Sequence, residues 1–264
     1  LYQKPLGKQS NANATGDTDL TIWMCTVPRE GLSKKKILKF FEVYDVHKWI
    51  IGREEGKNGY RHYQIRFQTS QEGIFEAFKD WFKKGHIEEA SDEWQYERKD
   101  GNYLTSDDNP DILRRRFGRF RCVQELILQL ALQSGDRNVI VWHTNEGSRG
   151  KSWFTSALWE RGLAHYVQPS NTAKGLIQDV ASEFIGNGYR PIVVIDIPRT
   201  WKWTDDLLFA IEKIKDGLIK DTRYHSRTID IVGTALIVMC NAYPKVSKLS
   251  EDRWIIYSDE HPLT

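Results

Sequence analysis

The sequence predicts two fold classes in succession: an α+β unit with helices on an antiparallel sheet, then an α/β unit on a parallel sheet. Three observations predict this. RHYQIRF (61–67) alternates, with Arg61, Tyr63, Ile65 and Phe67 on one face and His62, Gln64 and Arg66 on the other, the period of a half-buried strand. RNVIVW (137–142), RPIVVID (190–196) and TALIVMCN (234–241) are instead continuously apolar strands with helices between them, as in a parallel sheet covered on both faces. Between the two patterns lies TSDDNPD (105–111), a polar, proline-containing break.

Residues 1–18 are polar and turn-rich, and read as a disordered arm. LTIWMCTV (20–27) reads as a strand. SKKKILKFFEVY (33–44) reads as a helix with Ser33 as N-cap and Ile37, Phe40, Phe41 and Tyr44 on one face. HKWIIGRE (47–54) and YRHYQIRFQT (60–69) flank the turn KNG as a hairpin. A helix at 72–83, a short strand in GHIEEA (85–90) and a helix over 92–104 follow. ILRRRFGRFRCVQELILQLALQSG (112–135) joins five arginines to a helix apolar enough to pack on something, such as another subunit. TDDLLFAIEKIKDG (204–217) is a helix with Thr204 as N-cap and Gly217 at its C-terminal end. The expected organisation is an arm (1–18), a first domain (19–107), a linker and oligomerisation helix (108–135) and a second domain (136–264).

Composition bounds the function. The chain has 264 residues, 40% hydrophobic and 28% charged, which describes a globular protein. A net charge of only +2 leaves nucleic-acid binding to local clusters, while 10 tryptophans offer rings on which bases can stack. Three cysteines without a CxxC exclude a disulfide framework or a cysteine zinc site and fit a reducing compartment. The longest apolar run, ALIVMC, is too short for a bilayer, so no membrane partner is expected. The chain starts at Leu1 rather than Met, as a trimmed or processed N-terminus would.

NEGSRGKS (145–152) reads as a phosphate loop between a buried strand and a helix. Gly150, Lys151 and Ser152 fit the end of G-x-x-x-x-G-K-[ST], and Asn145 replaces the first glycine. Asn145, Glu146, Gly147, Ser148, Arg149 and Gly150 are expected to wrap the phosphates of ATP, with Asn145 tolerating positive φ. Lys151 is expected on the β/γ-phosphates and Ser152 on Mg²⁺. Asp196, closing VVID, is expected on the same metal, though Ile197 stands where many ATPases have a second acid. Asn241 is a candidate γ-phosphate sensor. Arg253 is a candidate arginine finger supplied across a subunit interface.

QYERKDGNY (95–103) holds a second constellation. Tyr96 and Lys99, three apart on a helix, share a face, and Asp100 joins them. A tyrosine beside a lysine and an acid, near a His/Gln pair, suits DNA nicking. Tyr96 is the nucleophile, Lys99 assists proton transfer or stabilises charge, and a divalent metal polarises the phosphate. The expected ligands are His62, Gln64 and an acid, Glu55 first with Glu54 as the alternative, and Asp100 beside them. Arg66, on the ligand face, is a candidate DNA-phosphate contact.

These motifs together resemble the replication initiator (Rep) proteins of circular single-stranded DNA viruses (circoviruses, nanoviruses and alphasatellites) and their plasmid relatives, over roughly residues 20–258. HYQ (62–64), YERKDGN (96–102), HIEEA (86–90) and GREEG (52–56) resemble the segments of an HUH-type endonuclease. GSRGKS, VVIDIPR and IVMCN resemble the Walker A, Walker B and C motifs of a superfamily 3 helicase, with DIPR closest to the nanovirus and alphasatellite kind. RYHSRTIDI (223–231) resembles the B′ hairpin of a helicase channel, which implies DNA contacts for Arg223 and Lys220. The resemblance implies an HUH endonuclease domain followed by a P-loop ATPase domain. It implies a rolling-circle replication initiator that nicks and rejoins origin DNA through a 5′-phosphotyrosine and unwinds DNA as an ATP-driven hexamer. Mg²⁺ or Mn²⁺ and ATP are the implied cofactors. Single-stranded and origin DNA, further copies of the chain and host replication machinery are the implied partners. Its place would be the host nucleus if the chain is viral and otherwise the cell interior. The alternative is a DNA-binding ATPase, helicase or assembly protein without nicking activity.

Overall fold

A computed structural model of the chain describes residues 20–170, 172–223 and 226–259. The arm expected at 1–18, and Tyr224 and His225 of the B′-like stretch, lie outside these residues.

The alternating N-terminal pattern folds as predicted. The elements are β1 (Thr21–Pro28), α1 (Lys34–Val43), β2 (Lys48–Glu55), β3 (Arg61–Thr69), α2 (Ile74–Trp81), β4 (His86–Glu89) and β5 (Tyr103–Thr105). The antiparallel sheet runs β4-β1-β3-β2-β5. Its apolar face (Cys25, Val27, Ile51, Tyr63, Ile65 and Phe67) packs on Phe40 and Phe41 of α1 and Phe78 of α2. Phe40 meets Phe67 and Phe78 edge-on at 6.0 and 5.8 Å. Each fully buried phenylalanine contributes about 1.5–3 kcal/mol. The opposite face carries the polar residues of β3.

One expectation fails here. Residues 92–104 do not form a helix; they hold a single 3₁₀ turn, Tyr96–Arg98, followed by β5. Gly101, at φ +63°, ends the turn, and its N–H donates to the Arg98 carbonyl oxygen (2.9 Å). In the left-handed region the chain cannot continue a right-handed helix.

The polar break is ordered. Asn109 caps α3 (Pro110–Phe117) by accepting from the N–H groups of Asp111 and Ile112. The next helix, α4 (Cys122–Gln133), packs Ile127, Leu128 and Ala131 on Ile140, Trp142 and Phe154 of its own chain. The apolar face expected to meet another subunit is therefore largely consumed internally.

The remainder comprises β6 (Val139–His143), α5 (Lys151–Glu160), β7 (Ala164–Val167), α6 (Ala173–Asn187), β8 (Ile192–Asp196), α7 (Asp205–Asp216), β9 (Leu218–Asp221), β10 (Arg227–Asp230), β11 (Ala235–Cys240) and β12 (Trp254–Ser258). A parallel sheet runs β12-β6-β11-β8-β7, and β9 and β10 form a separate two-stranded ribbon. Helices cover both faces: α4 and α5 on one, α6 and α7 on the other. Thr204 caps α7 by accepting from the Leu207 N–H, and Gly217 ends it at φ +85°.

Candidate functional site

Two polar sites stand out, one on each sheet. The first lies on the open face of the antiparallel sheet. Directly paired residues of neighbouring strands share a face. His62 pairs with Glu54 on β2, and Gln64 pairs with Gly52 on β2 and Thr26 on β1. The 3₁₀ turn crosses over them. A Cβ on Gly52 would lie 2.7 Å from the Glu97 carbonyl oxygen, so only glycine lets the turn sit this close.

The result is a continuous row of side chains. The Lys99 ammonium lies 3.8 Å from the Tyr96 ring centroid and 2.8 Å from Glu54 Oε2. That carboxylate faces His62 Nε2 at 3.5 Å. On its other side, His62 Nδ1 lies 3.3 Å from the Tyr60 carbonyl oxygen. Tyr96 is half exposed, whereas Glu54 is buried. Burial pulls the Lys99 ammonium down, but Glu54 and Tyr96 outweigh it and hold its pKa above the ordinary value. Lys99 is therefore charged at neutral pH.

Do these residues suit a divalent cation? Among the described residues no three His, Cys, Asp or Glu side chains cluster as a metal site. The donors here are one carboxylate, one imidazole and one amide. Glu54 Oε1 is buried with no hydrogen-bond partner, and Gln64 Oε1 accepts only from Thr26 Oγ1 (2.8 Å) among the hydrogen bonds described. Two oxygens with acceptor capacity and an imidazole nitrogen fit Mg²⁺ or Mn²⁺.

Several expectations are corrected at this site. Glu55 is not in it: it pairs with Arg61 across the hairpin, on the opposite face from His62, and its Oε2 accepts from Arg61 Nε (2.9 Å). Glu54 takes the place expected of it. Asp100 follows a 3₁₀ turn rather than a helix, so it does not have the i, i+4 spacing expected with Tyr96. It lines a cleft with Arg29, Arg53, Glu54, Glu55, Arg61 and Asn102. Arg66 is not a free phosphate contact. It is buried, its Nε donates to Glu97 Oε1 (3.0 Å) and its Nη1 to the Ser91 carbonyl oxygen (2.6 Å). It clamps the turn that carries Tyr96. Burial raises the Glu97 pKa, although Arg66 pulls it back down.

The second site lies at the carboxyl edge of the parallel sheet. β11 separates β6 from β8, and their ends are level: Cys240 pairs with His143, and Met239 with Asp196. A cavity of about 700 Å³ opens there, lined by Gly150, Lys151, Ser152, Asp196, Arg199 and Asn241 among others. Gly150 caps α5 at φ +87°. The non-glycine left-handed residue of the loop is Ser148 (φ +60°), and Asn145 does not use the positive φ that asparagine tolerates. Lys151 Nζ donates to the Cys240 carbonyl oxygen (2.6 Å), Ser152 Oγ is 3.5 Å from Asp196 Oδ2, and Asn241 Nδ2 donates to the Thr144 carbonyl oxygen (2.7 Å). Burial lowers the Lys151 pKa despite the nearby Cys240 and Asp196, and burial raises Asp196 despite Lys151 and Ser152. Burial also pushes the Cys240 thiol up to about 12, so it stays neutral. Glu146 and Arg149 pair with each other, and Arg149 also reaches Asp259 at 3.3 Å.

Arg253 is far from this cavity in its own chain. It precedes Trp254, which pairs with Val139 at the amino edge of the sheet. There it is buried against Glu212 (3.3 Å) and Asp216 (3.5 Å) of α7. Arg199, which sequence reasoning passed over, is the arginine that lines the cavity, and its Nη2 donates to the Asn145 carbonyl oxygen (3.2 Å). Its signal was its place three residues after Asp196. On the ribbon, Lys220 is exposed. Arg223 is tied to Asp221 (3.1 Å), Asp179 (2.8 Å) and the Gln178 carbonyl oxygen (2.8 Å), which occupies the guanidinium expected to meet DNA.

The two sites meet through α5. Its first residue is Lys151, and its last, Glu160, accepts from Tyr103 Oη (2.6 Å) and Arg116 Nη2 (3.0 Å). Arg116 also grips both oxygens of Asp108, at 2.8 and 2.9 Å, and lies 3.7 Å from the Tyr103 ring centroid. A Cβ on Gly101 would collide with the Arg161 carbonyl, and one on Gly162 would lie 2.7 Å from the Lys99 carbonyl oxygen.

No family model matches the chain. Para-Rep C7 of the Faba bean necrotic yellows C7 alphasatellite is 33% identical over 135 residues, 49% of this chain and 45% of the relative. Para-Rep C1 of the Faba bean necrotic yellows C11 alphasatellite is 30% identical over 137 residues, 50% of this chain and 44% of the relative. Para-Rep C2 of the Subterranean clover stunt C2 alphasatellite is 29% identical over 137 residues, covering 50% and 45%. The matched stretch thus spans under half the length of these relatives. A solved structure, glutamyl-tRNA reductase from Methanopyrus kandleri, aligns at a TM-score of 0.20 and 10% identity, too low to bear on the fold. Across about half of its length the chain is homologous to alphasatellite Rep proteins, in line with its motifs' resemblance to initiators of the circular single-stranded DNA virus type.

Proposed function

We propose that this chain is a rolling-circle replication initiator that nicks and rejoins single-stranded DNA at Tyr96 and couples this to ATP hydrolysis. The row Tyr96–Lys99–Glu54–His62 on the open sheet face carries the reading. The first unit is read as an HUH endonuclease domain and the second as a P-loop ATPase domain of the superfamily 3 kind, with residues 108–135 as the linker.

In the nicking step the Tyr96 oxygen attacks a backbone phosphorus and the P–O3′ bond breaks. The phenolic proton passes to water and the 3′-oxygen takes one back, leaving as a hydroxyl, while the 5′-phosphate remains on Tyr96. Attack by a 3′-hydroxyl on that phosphotyrosine reverses the step and rejoins ends. The Lys99 ammonium, held over the Tyr96 ring, stabilises the phenolate and the charge gathering on the phosphate. Glu54, His62 and Gln64 would hold Mg²⁺ or Mn²⁺, which supplies Lewis-acid polarisation of a phosphate oxygen.

In the second unit the loop 145–150 and Lys151 bind the phosphates of ATP. Ser152 and Asp196 would hold Mg²⁺. Asn241 faces the γ-phosphate end of the cavity, and Arg199 adds positive charge there. Assembly into a ring, as a hexamer, with Lys220 on the channel ribbon, completes a helicase that acts on origin DNA beside host replication machinery, in the nucleus of a host cell. No helix among the described residues is long and apolar enough to cross a membrane.

Incubation with a labelled single-stranded origin oligonucleotide and Mn²⁺ tests the nicking reading. A denaturation-resistant adduct that Tyr96→Phe abolishes is expected; no adduct, or one that survives the substitution, refutes it. ATP turnover unaffected by Lys151→Ala refutes the ATPase reading independently.

A further inference from the structure

Tyr60 has two faces with different tasks. Its ring lies against the His62 imidazole, centroids 5.2 Å apart and planes within 17°, an offset stack. Half of the residue nonetheless remains exposed, at 50%. Its backbone carbonyl accepts from the Gly56 N–H (2.9 Å), and His62 Nδ1 lies 3.3 Å away. The ring is therefore not a loose surface tyrosine. It sits on a tight hairpin turn, closed by Gly59 at φ +74° and by the Glu55–Arg61 pair, at the end of the row opposite Tyr96.

The row between the two tyrosines is charged or polar and suits a phosphate. At one end, the Tyr96 ring is covered by the Lys99 ammonium and its hydroxyl is the nucleophile. At the other, Tyr60 offers an open π-face. Unpaired bases stack on such faces whatever their identity.

We propose that Tyr60 is a base-stacking platform of the nicking site: an unpaired base of the bound strand, adjacent to the scissile phosphate, stacks on the outer face of its ring. This rests on the nicking reading above and adds a residue that fixes the register of the strand. His62 meets both the ring and the backbone carbonyl of Tyr60; Tyr60→Ala removes the first and keeps the second, whereas Tyr60→Phe and Tyr60→Trp keep an aromatic ring there, so the aromatic variants separate base stacking from His62 orientation.

The test uses the full chain carrying Tyr96→Phe, which cannot cut, and fluorescence anisotropy on single-stranded oligonucleotides with one abasic site moved along the sequence. One position should weaken binding by roughly 5- to 100-fold when its base is missing. Adding Tyr60→Ala should erase the penalty at that position and leave the other positions unchanged, while Tyr60→Phe and Tyr60→Trp should keep it. Mn²⁺ affinity should be the same with Tyr60→Phe. An abasic profile identical with and without Tyr60→Ala overturns the platform. Failure of the Tyr96→Phe protein to bind single-stranded DNA at all overturns the nicking reading and the platform with it. If DNA binds and the adduct forms normally in the Tyr96 protein while Tyr60→Ala changes neither profile nor affinity, the platform alone falls.

Discussion

The Arg66–Glu97 pair allows a sharp test of how the nucleophile turn is held. The Arg66 side chain is 5% exposed and that of Glu97 0%, and Glu97 Oε2 has no partner. Removing one member leaves a buried, uncompensated charge, at about 3–5 kcal/mol. That is a large part of a typical total stability of about 5–15 kcal/mol. Arg66→Met also strands the Ser91 carbonyl, for about 1 kcal/mol more. Replacing both partners with methionine removes both charges, and such exchanges are about neutral or even stabilising. The expected denaturation midpoints are therefore low for Arg66→Met and Glu97→Met and near that of the parent for the double variant, a coupling of at least about 3 kcal/mol. A surface arginine bound to DNA phosphate gives a different signature. Its loss would leave the midpoint almost unmoved and lower the slope of log affinity against log salt by about one. Additive single effects below about 1 kcal/mol together with a lowered salt slope would refute the buried clamp.

Three further outcomes follow from the geometry. Glu54→Gln should cut Mn²⁺-dependent adduct formation by at least about 100-fold, while Glu55→Gln, on the opposite face, should leave it near the parent level; the reverse order would restore Glu55 as the ligand. Arg199→Ala should lower ATP turnover by about 100-fold, whereas Arg253→Ala should lower the melting temperature and leave turnover per folded molecule intact, both readable in one purified series. Burial raises the Asp196 pKa, so stability is lost as pH rises from the unfolded value of 3.8 to the folded-state pKa; the cost is complete above that pKa and absent below 3.8. Asp196→Asn should therefore stabilise the nucleotide-free protein at pH 7 but not below pH 3.8, while abolishing turnover; equal effects at both pH values would contradict the burial argument.

The strand faces were legible because alternation is local. His62 and Gln64 share a face by parity alone, and the apolar runs marked β6, β8 and β11. Choosing between Glu54 and Glu55 needed the hairpin register, since a one-residue slip exchanges the faces. The register was partly readable: closing the turn on Glu55 and Arg61 sets Glu54 opposite His62, with Gly52 two residues before it. Tyr96 and Lys99 are three apart in an α-helix or a 3₁₀ turn, so their adjacency was readable while the helix type was not. Arg66 shares parity with His62, but nothing local announces that Glu97 folds down on it. The amino-edge position of Arg253 depends on the pairing of β12 with β6, a contact about 115 residues apart along the chain. β12 itself, five residues of WIIYS, is too short for periodicity to separate strand from helix.

Helix α5 makes one rigid body answer to two chemistries. At about 1.5 Å per residue its ten residues span about 15 Å. One end opens on the cavity beside Lys151, and beyond the other a glycine-to-backbone contact supports the Tyr96 turn with no room for a methyl group. A helix seated this tightly works as a lever rather than a tether. Under the proposed function, ATP binding and DNA attachment are linked equilibria, each shifting the other's affinity by the same factor. Nucleotide affinity measured with and without DNA covalently held on Tyr96 reads that factor directly, and identical affinities would mean that the lever does not move.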